Sequence, residues 1–218
     1  MRDTDLENLL RDRGLELLGP CERLSECSEP VQQSQLMCDF TPEEADQLGA
    51  SMLRIRAQPG QLLLAEGESS DWMMILLSGT VDVGKRKVGT DAEKREPGGN
   101  TRLAVLKEGA VIGEMSMLDG QERYASCWAL SEVEAALLTR AAVVRLIDEH
   151  PAVGAKLLMK ITELLAQQLR NTSNQLLQLL RTGGNANVPI QGIASAILAP
   201  SVPPPAPPGS SPSGGSSH

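Results

Sequence analysis

Aromatic side chains and histidine are scarce in this chain of 218 residues, which carries Phe40, Trp72, Tyr124 and Trp128 and two histidines. The core must therefore be aliphatic, and single-stranded nucleic acid held on stacked aromatic platforms is not expected. With His150 beside Pro151 and His218 at the end of the sequence, no histidine-centred nucleophile or general base assembles, so an enzyme is not expected either. Positive charge is also short: 20 Lys and Arg stand against 28 Asp and Glu, for a net charge of −8. The pI near 4.9 opposes direct DNA binding, which calls for clustered cations. No apolar run approaches the roughly 20 residues of a membrane span, and the opening MRDTDLENLLRDRG is charged throughout, unlike a signal peptide. A cytoplasmic protein without membrane insertion is expected. Cys21, Cys27, Cys38 and Cys127 lack a Cys-x-x-Cys spacing and read as reduced thiols, with Cys127 buried in a strand.

What is present suffices for one core and a tail, at 41% hydrophobic composition. Leu6, Leu9, Leu10, Leu15, Leu17 and Leu18 among charges predict a short amphipathic helix over residues 1–18, interrupted at Gly14. In Phe40-Thr41-Pro42-Glu43-Glu44, Thr41 is the expected N-cap of a second helix, with Pro42 at its first position and acids in its first turn. Short strands are expected from about Ser51 to Thr139, around a polar hairpin tip, GKRKVGTDAEKREPGGN. From Arg140 to Arg181 the period becomes helical, with a break expected at His150-Pro151. Four segments follow: a helical extension over 1–39, a β-rich unit with its entry helix over 40–150, a long helix over 151–182, and a Pro/Gly/Ser-rich tail over 183–218. The tail is expected to be disordered, with a stiff polyproline portion at Pro203 to Pro208.

The segment GEMSMLDGQERYASCWA, from Gly113 to Ala129, holds the chemistry a cyclic phosphate and its ribose require. Gly113 gives the backbone freedom to enter a helical turn whose unpaired N–H groups, at Met115 and Ser116 among others, favour an anion. Glu114 can accept from a ribose hydroxyl, and Arg123 can return across the turn as a fork of donors for phosphate oxygens. Each residue alone also fits a solvated surface; the spacing, the Asp119-Gly120 turn and the small Ala125 and Ser126 after the arginine favour a site. This stretch resembles the phosphate-binding cassette of the cyclic nucleotide-binding domain family. Pro59-Gly60, Gly67, Gly79 and Lys107-Glu108-Gly109 resemble that family's glycine corners. The resemblance implies a mainly β fold with flanking helices: an eight-stranded double-stranded β-helix, or jelly roll, followed by a long dimerisation helix. It implies a cyclic nucleotide as ligand, with cyclic AMP favoured and cyclic GMP possible, and no metal.

In the long helix, Leu158, Leu165, Thr172 and Leu179 recur every seven residues beside Thr162, Leu169 and Leu176, a seam suited to a second copy or to packing on its own β-unit. At about 45 Å the helix exceeds what a small roll covers, which favours a homodimer. The segment KITELLAQQLRNTSNQLLQLL resembles the dimer helix of the bacterial cyclic AMP receptor superfamily. By that resemblance Thr172 contacts the base in its own subunit and Ser173 the base bound across the dimer.

Three departures stand out. Tyr124 replaces the small residue or hydroxyl usual after the cassette arginine, and its phenol could donate to phosphate or crowd the pocket. The superfamily's helix-turn-helix domain has no counterpart in the sequence after Gly183-Gly184, so signalling through an unknown effector protein is expected. The cysteine layout loosely resembles the iron–sulfur branch of the superfamily. A redox sensor, or a ligand-free dimeric scaffold, therefore stands beside the second-messenger receptor as an alternative.

Overall fold

The computed structural model describes residues 3–86 and 100–181. Helix α1 (Asp3–Asp12) comes first. It ends in a Schellman turn, in which Gly14 N–H donates to the Arg11 carbonyl and Leu15 N–H to that of Leu10. Gly14, at φ 71°, takes the left-handed position the turn demands. Strand β1 (Glu16–Pro20) follows, pairing antiparallel with β2 (Leu53–Ala57). The expected helix over 1–18 is thus corrected. Leu6, Leu10 and Leu15 are buried on one core, whereas Leu17 and Leu18 lie exposed on an edge strand.

A short 3₁₀ turn at Leu24–Glu26 and helix α2 (Glu29–Gln32) lead to α3 (Pro42–Ala50). As expected, Thr41 caps α3: its side chain accepts from the Glu44 N–H and the Glu44 carboxylate from the Thr41 N–H, a full capping box with Pro42 at the first position. The remaining strands are β3 (Leu62–Leu64), β4 (Trp72–Ser78), β5 (Val81–Arg86), β6 (Asn100–Leu106) and β7 (Val111–Ile112). Helix α4 (Glu114–Asp119) precedes β8 (Ser126–Ala129) and β9 (Val133–Thr139). Two antiparallel sheets form, in the orders β1-β2-β9-β4-β7 and β3-β8-β5-β6, so β2 to β9 make the eight-stranded roll and β1 adds an edge. Gly60, Gly67, Gly79 and Gly109 all take positive φ at the expected corners.

Strand β4 is the spine. Trp72, Met74 and Leu76 fill the roll, while Met73, Ile75 and Leu77 pack under the helices, so the strand is apolar on both faces and reads as a continuous run. Helix α5 (Arg140–Glu149) and helix α6 (Pro151–Arg181) follow, separated at His150 as expected. Val153, Leu157, Ile161 and Leu164 bury the first half of α6 on its own chain. Lys156 donates to the Glu44 carboxylate, and Lys160 pairs with Asp39 and Glu163. The second half leaves Leu169, Leu176, Leu177 and Leu180 exposed. The seam therefore divides: Leu158 and Leu165 pack partly against the core, and Leu169 and Leu176 beyond them are exposed.

Among the described residues, no helix is long and apolar enough to cross a membrane. The hairpin tip falls mostly on residues 87–99 and the tail on 183–218, both outside the described residues; the flanks of the tip, β5 and β6, pair antiparallel.

Candidate functional site

A cavity of about 500 Å³ lies inside the roll beneath α6. Eight of the nine residues expected at the site line it: Gly113, Glu114, Met115, Ser116, Arg123, Tyr124, Ala125 and Thr172. Ser173 does not; it is exposed on the outer side of α6. The remaining wall is largely aliphatic, from Leu64 and Val83 on one side to Leu165 and Leu169 of α6 on the other. Such a wall suits the flat apolar faces of a base, and the polar groups cluster at one end.

That polar end is built on α4. Gly113, at φ 83°, enters the helix as its N-cap without a side-chain cap of its own. The first-turn N–H groups have no carbonyl one turn earlier to bond, so that end of α4 attracts negative charge. Arg123 stands beside it, buried to 3% exposure. Its Nε donates to Ser70 Oγ at 2.6 Å, its Nη1 to the Gly113 carbonyl at 2.7 Å, and its Nη2 to the Trp72 carbonyl. The guanidinium carbon lies 4.8 Å from the centre of the Trp72 ring. All three acceptors are uncharged, and two of the five N–H donors remain for a ligand. Burial pushes the Arg123 pKa down to about 10, which leaves the group charged at neutral pH.

Glu114 is buried at 5% exposure. Burial raises its pKa; its own backbone N–H, the Gln168 side chain and the Arg123 charge oppose that rise without cancelling it. An acceptor and a guanidinium thus share one cavity, as a ribose hydroxyl and a phosphate would need. Tyr124 lies at the lip, 63% exposed, with the Lys85 ammonium 3.5 Å from the ring centre. Its phenol does not fill the cavity. Thr172, on the cavity wall, donates from Oγ back to the Gln168 carbonyl at 2.9 Å.

Sequence reasoning missed Gln168, which lines the cavity beside Glu114 and opposes the rise of its pKa. Its position one turn before Thr172, on the same helix face, was the available signal. Cys127 belongs to the cavity wall and Cys21 to the core beneath the helices; burial pushes their thiols up to about 12 and about 11. Among the described residues, no group of three or more His, Cys, Asp or Glu is placed to hold a metal ion.

The family model described as "Cyclic nucleotide-binding domain" matches residues 54–150. The chain is 31% identical over 123 residues to the CRP-like cAMP-activated global transcriptional regulator of Mycobacterium tuberculosis, covering 56% of this chain and 50% of that protein. It is 32% identical over 144 residues to the cyclic AMP receptor protein of Thermus thermophilus, covering 66% of this chain and 61% of that one. The chain thus spans between half and two thirds of these relatives. The solved cyclic nucleotide-binding domain of Methylobacillus flagellatus KT superposes with a TM-score of 0.64 at 32% identity, over 79% of this chain and 92% of that structure.

Proposed function

Because the chain belongs to the cyclic nucleotide-binding domain family, we propose that its cavity binds cyclic AMP, and that the protein is a cytoplasmic, homodimeric second-messenger receptor that signals through a protein partner and performs no catalysis. The buried Arg123 guanidinium, paired only with uncharged acceptors beside the open end of α4, carries this reading. A singly charged ring phosphate supplies the missing negative charge there, Glu114 receives the ribose hydroxyl, and the aliphatic wall takes the base. Similarity to the cAMP-activated regulator of Mycobacterium and the cyclic AMP receptor protein of Thermus favours adenine over guanine, as do the hydroxyls of Thr172 and of Ser173 from a second copy. Cyclic GMP remains the second candidate ligand.

Output follows from a population shift. The ligand moves the equilibrium only by the difference in its affinity for the two arrangements of α6. The net charge of −8 points to a protein effector rather than DNA. Calorimetry with cyclic AMP and cyclic GMP on the wild type and Arg123→Ala tests the proposal. Removing the cation from a partly buried phosphate should cost about 3–5 kcal/mol and push binding beyond about 1 mM. Undiminished affinity in the variant would overturn the assignment.

A further inference from the structure

We propose that Arg140 is a positioning residue: it fixes α4 from its C-terminal end and makes the α5–α6 arm sensitive to what binds at the N-terminal end. This rests on the reading of the cavity as a cyclic nucleotide site. Arg140 is the first residue of α5, held by the Thr139 N-cap, whose hydroxyl accepts from the Ala142 N–H at 3.1 Å. Its Nε donates to the Met117 carbonyl at 2.6 Å and its Nη2 to the Ser116 carbonyl at 3.2 Å. Both carbonyls lie at the negative end of the dipole of a six-residue helix: the Ser116 carbonyl already accepts from the Gly120 N–H, while the Met117 carbonyl has no backbone donor one turn ahead, because the Gln121 N–H goes to the Asp119 side chain. A helix so short does not hold its own orientation, and an external anchor must supply it. Gly120, at φ 74°, turns the chain away in a left-handed cap; a Cβ there would stand 3.4 Å from Arg140 Nη2.

The same residue also reaches the segment that holds Arg123. The Arg140 N–H donates to the Asp71 carbonyl at 2.7 Å, while the neighbours Ser70 and Trp72 accept from the Arg123 guanidinium. At the opposite end of α4, Gln168 of α6 lines the cavity beside Glu114 and favours its charged form. Helix α5 therefore anchors the C-terminal end of α4 through Arg140, and α6, which follows it after the break at His150, passes the opposite end with Gln168 beside Glu114. A phosphate that draws on the α4 amides and on Arg123 pulls on both contacts, and α6 is where the pull emerges.

Two variants and two readouts test this. Calorimetry compares cyclic AMP with adenosine, which keeps the base and ribose and lacks the phosphate. Arg140→Met should weaken cyclic AMP about tenfold, the loss of roughly one charge-assisted hydrogen bond, and leave adenosine within about twofold. Arg140→Lys, able to reach one carbonyl, should recover part of the loss. Without any ligand, hydrogen exchange at the Met117 and Gly120 amides, which bond to the Gly113 and Ser116 carbonyls, should quicken about tenfold in Arg140→Met while β4 amides keep wild-type rates. Unchanged cyclic AMP affinity, an equal loss for adenosine, or wild-type exchange in α4 would each overturn the inference. A wild type that takes up neither cyclic nucleotide would instead overturn the ligand assignment, and the exchange rates would still decide the role of Arg140.

Discussion

Arg123 Nη1 donates to the Gly113 carbonyl at 2.7 Å, and the same guanidinium occupies the space that a Cβ on residue 113 would need. The contact makes glycine obligatory twice over, for φ 83° and for the close approach of a cation. Gly113→Ala should cost about 1–2 kcal/mol for the left-handed backbone. It should also displace the guanidinium from hydrogen bonds worth about 1 kcal/mol each. The melting temperature should fall by roughly 4–8 °C, and cyclic nucleotide affinity by at least about tenfold. Calorimetric unfolding and binding titrations on the same sample check both.

Glu114 gives the site a pH signature. Burial raises its pKa in the fold above the unfolded value. The native state then holds more protons than the unfolded chain between those two values, so this group's contribution to stability grows as pH falls through that window and is complete below the unfolded pKa. Glu44, held low by Lys156, runs the opposite way, so total stability conceals the effect. The difference between wild type and Glu114→Gln isolates it. Urea titrations at pH 5 and pH 8 should show the variant gaining on the wild type at the higher pH, and a gain independent of pH would contradict the buried carboxylate. Ligand affinity should drop in the variant by about tenfold, because a neutral amide is a weaker acceptor for a ribose hydroxyl.

Much of this site was legible because its residues lie close together in the chain. Gly113 through Ala129 form one continuous turn–helix–strand unit, so the sequence order carries the geometry. Thr41 to Glu44 and His150-Pro151 were legible for the same reason: caps and breaks are settled within a turn of helix. Strand β1 was not. Leu15, Leu17 and Leu18 fit a helical stripe, and only pairing with β2, more than 30 residues distant, makes Glu16–Pro20 extended. Gln168 and Arg140 escaped too, because a Gln in a polar helix and an Arg at a helix start have ordinary local explanations. Their partners, Glu114 and the α4 carbonyls, are set by tertiary packing alone.

Tyr124 poses a question that the sequence left open. The residue lies at the lip of the cavity, 63% exposed and under the Lys85 ammonium, rather than across the cavity. Tyr124→Ser should therefore change cyclic AMP affinity by less than about threefold and stability by less than about 1 kcal/mol, since the loss is one exposed cation–π contact. A gain of tenfold or more in calorimetry would mean that the phenol does obstruct the ligand.

The second half of α6 supplies the last test. Leu176 is 57% and Leu180 70% exposed, while Leu169, about two helical turns before Leu176, also lines the cavity. A second α6 laid along this stripe would bury those leucines and bring Ser173 of one copy towards the pocket of the other. Each buried leucine side chain contributes about 1.5–3 kcal/mol, and a two-fold interface counts each substitution twice. Leu176→Glu should then raise the dimer dissociation constant about a hundredfold or more in sedimentation equilibrium. Cyclic AMP affinity should fall in step, because the monomer retains Thr172 and loses the partner hydroxyl. A wild type that sediments as a monomer at tens of micromolar, or a monomeric variant with full affinity, would separate the helix stripe from the ligand site.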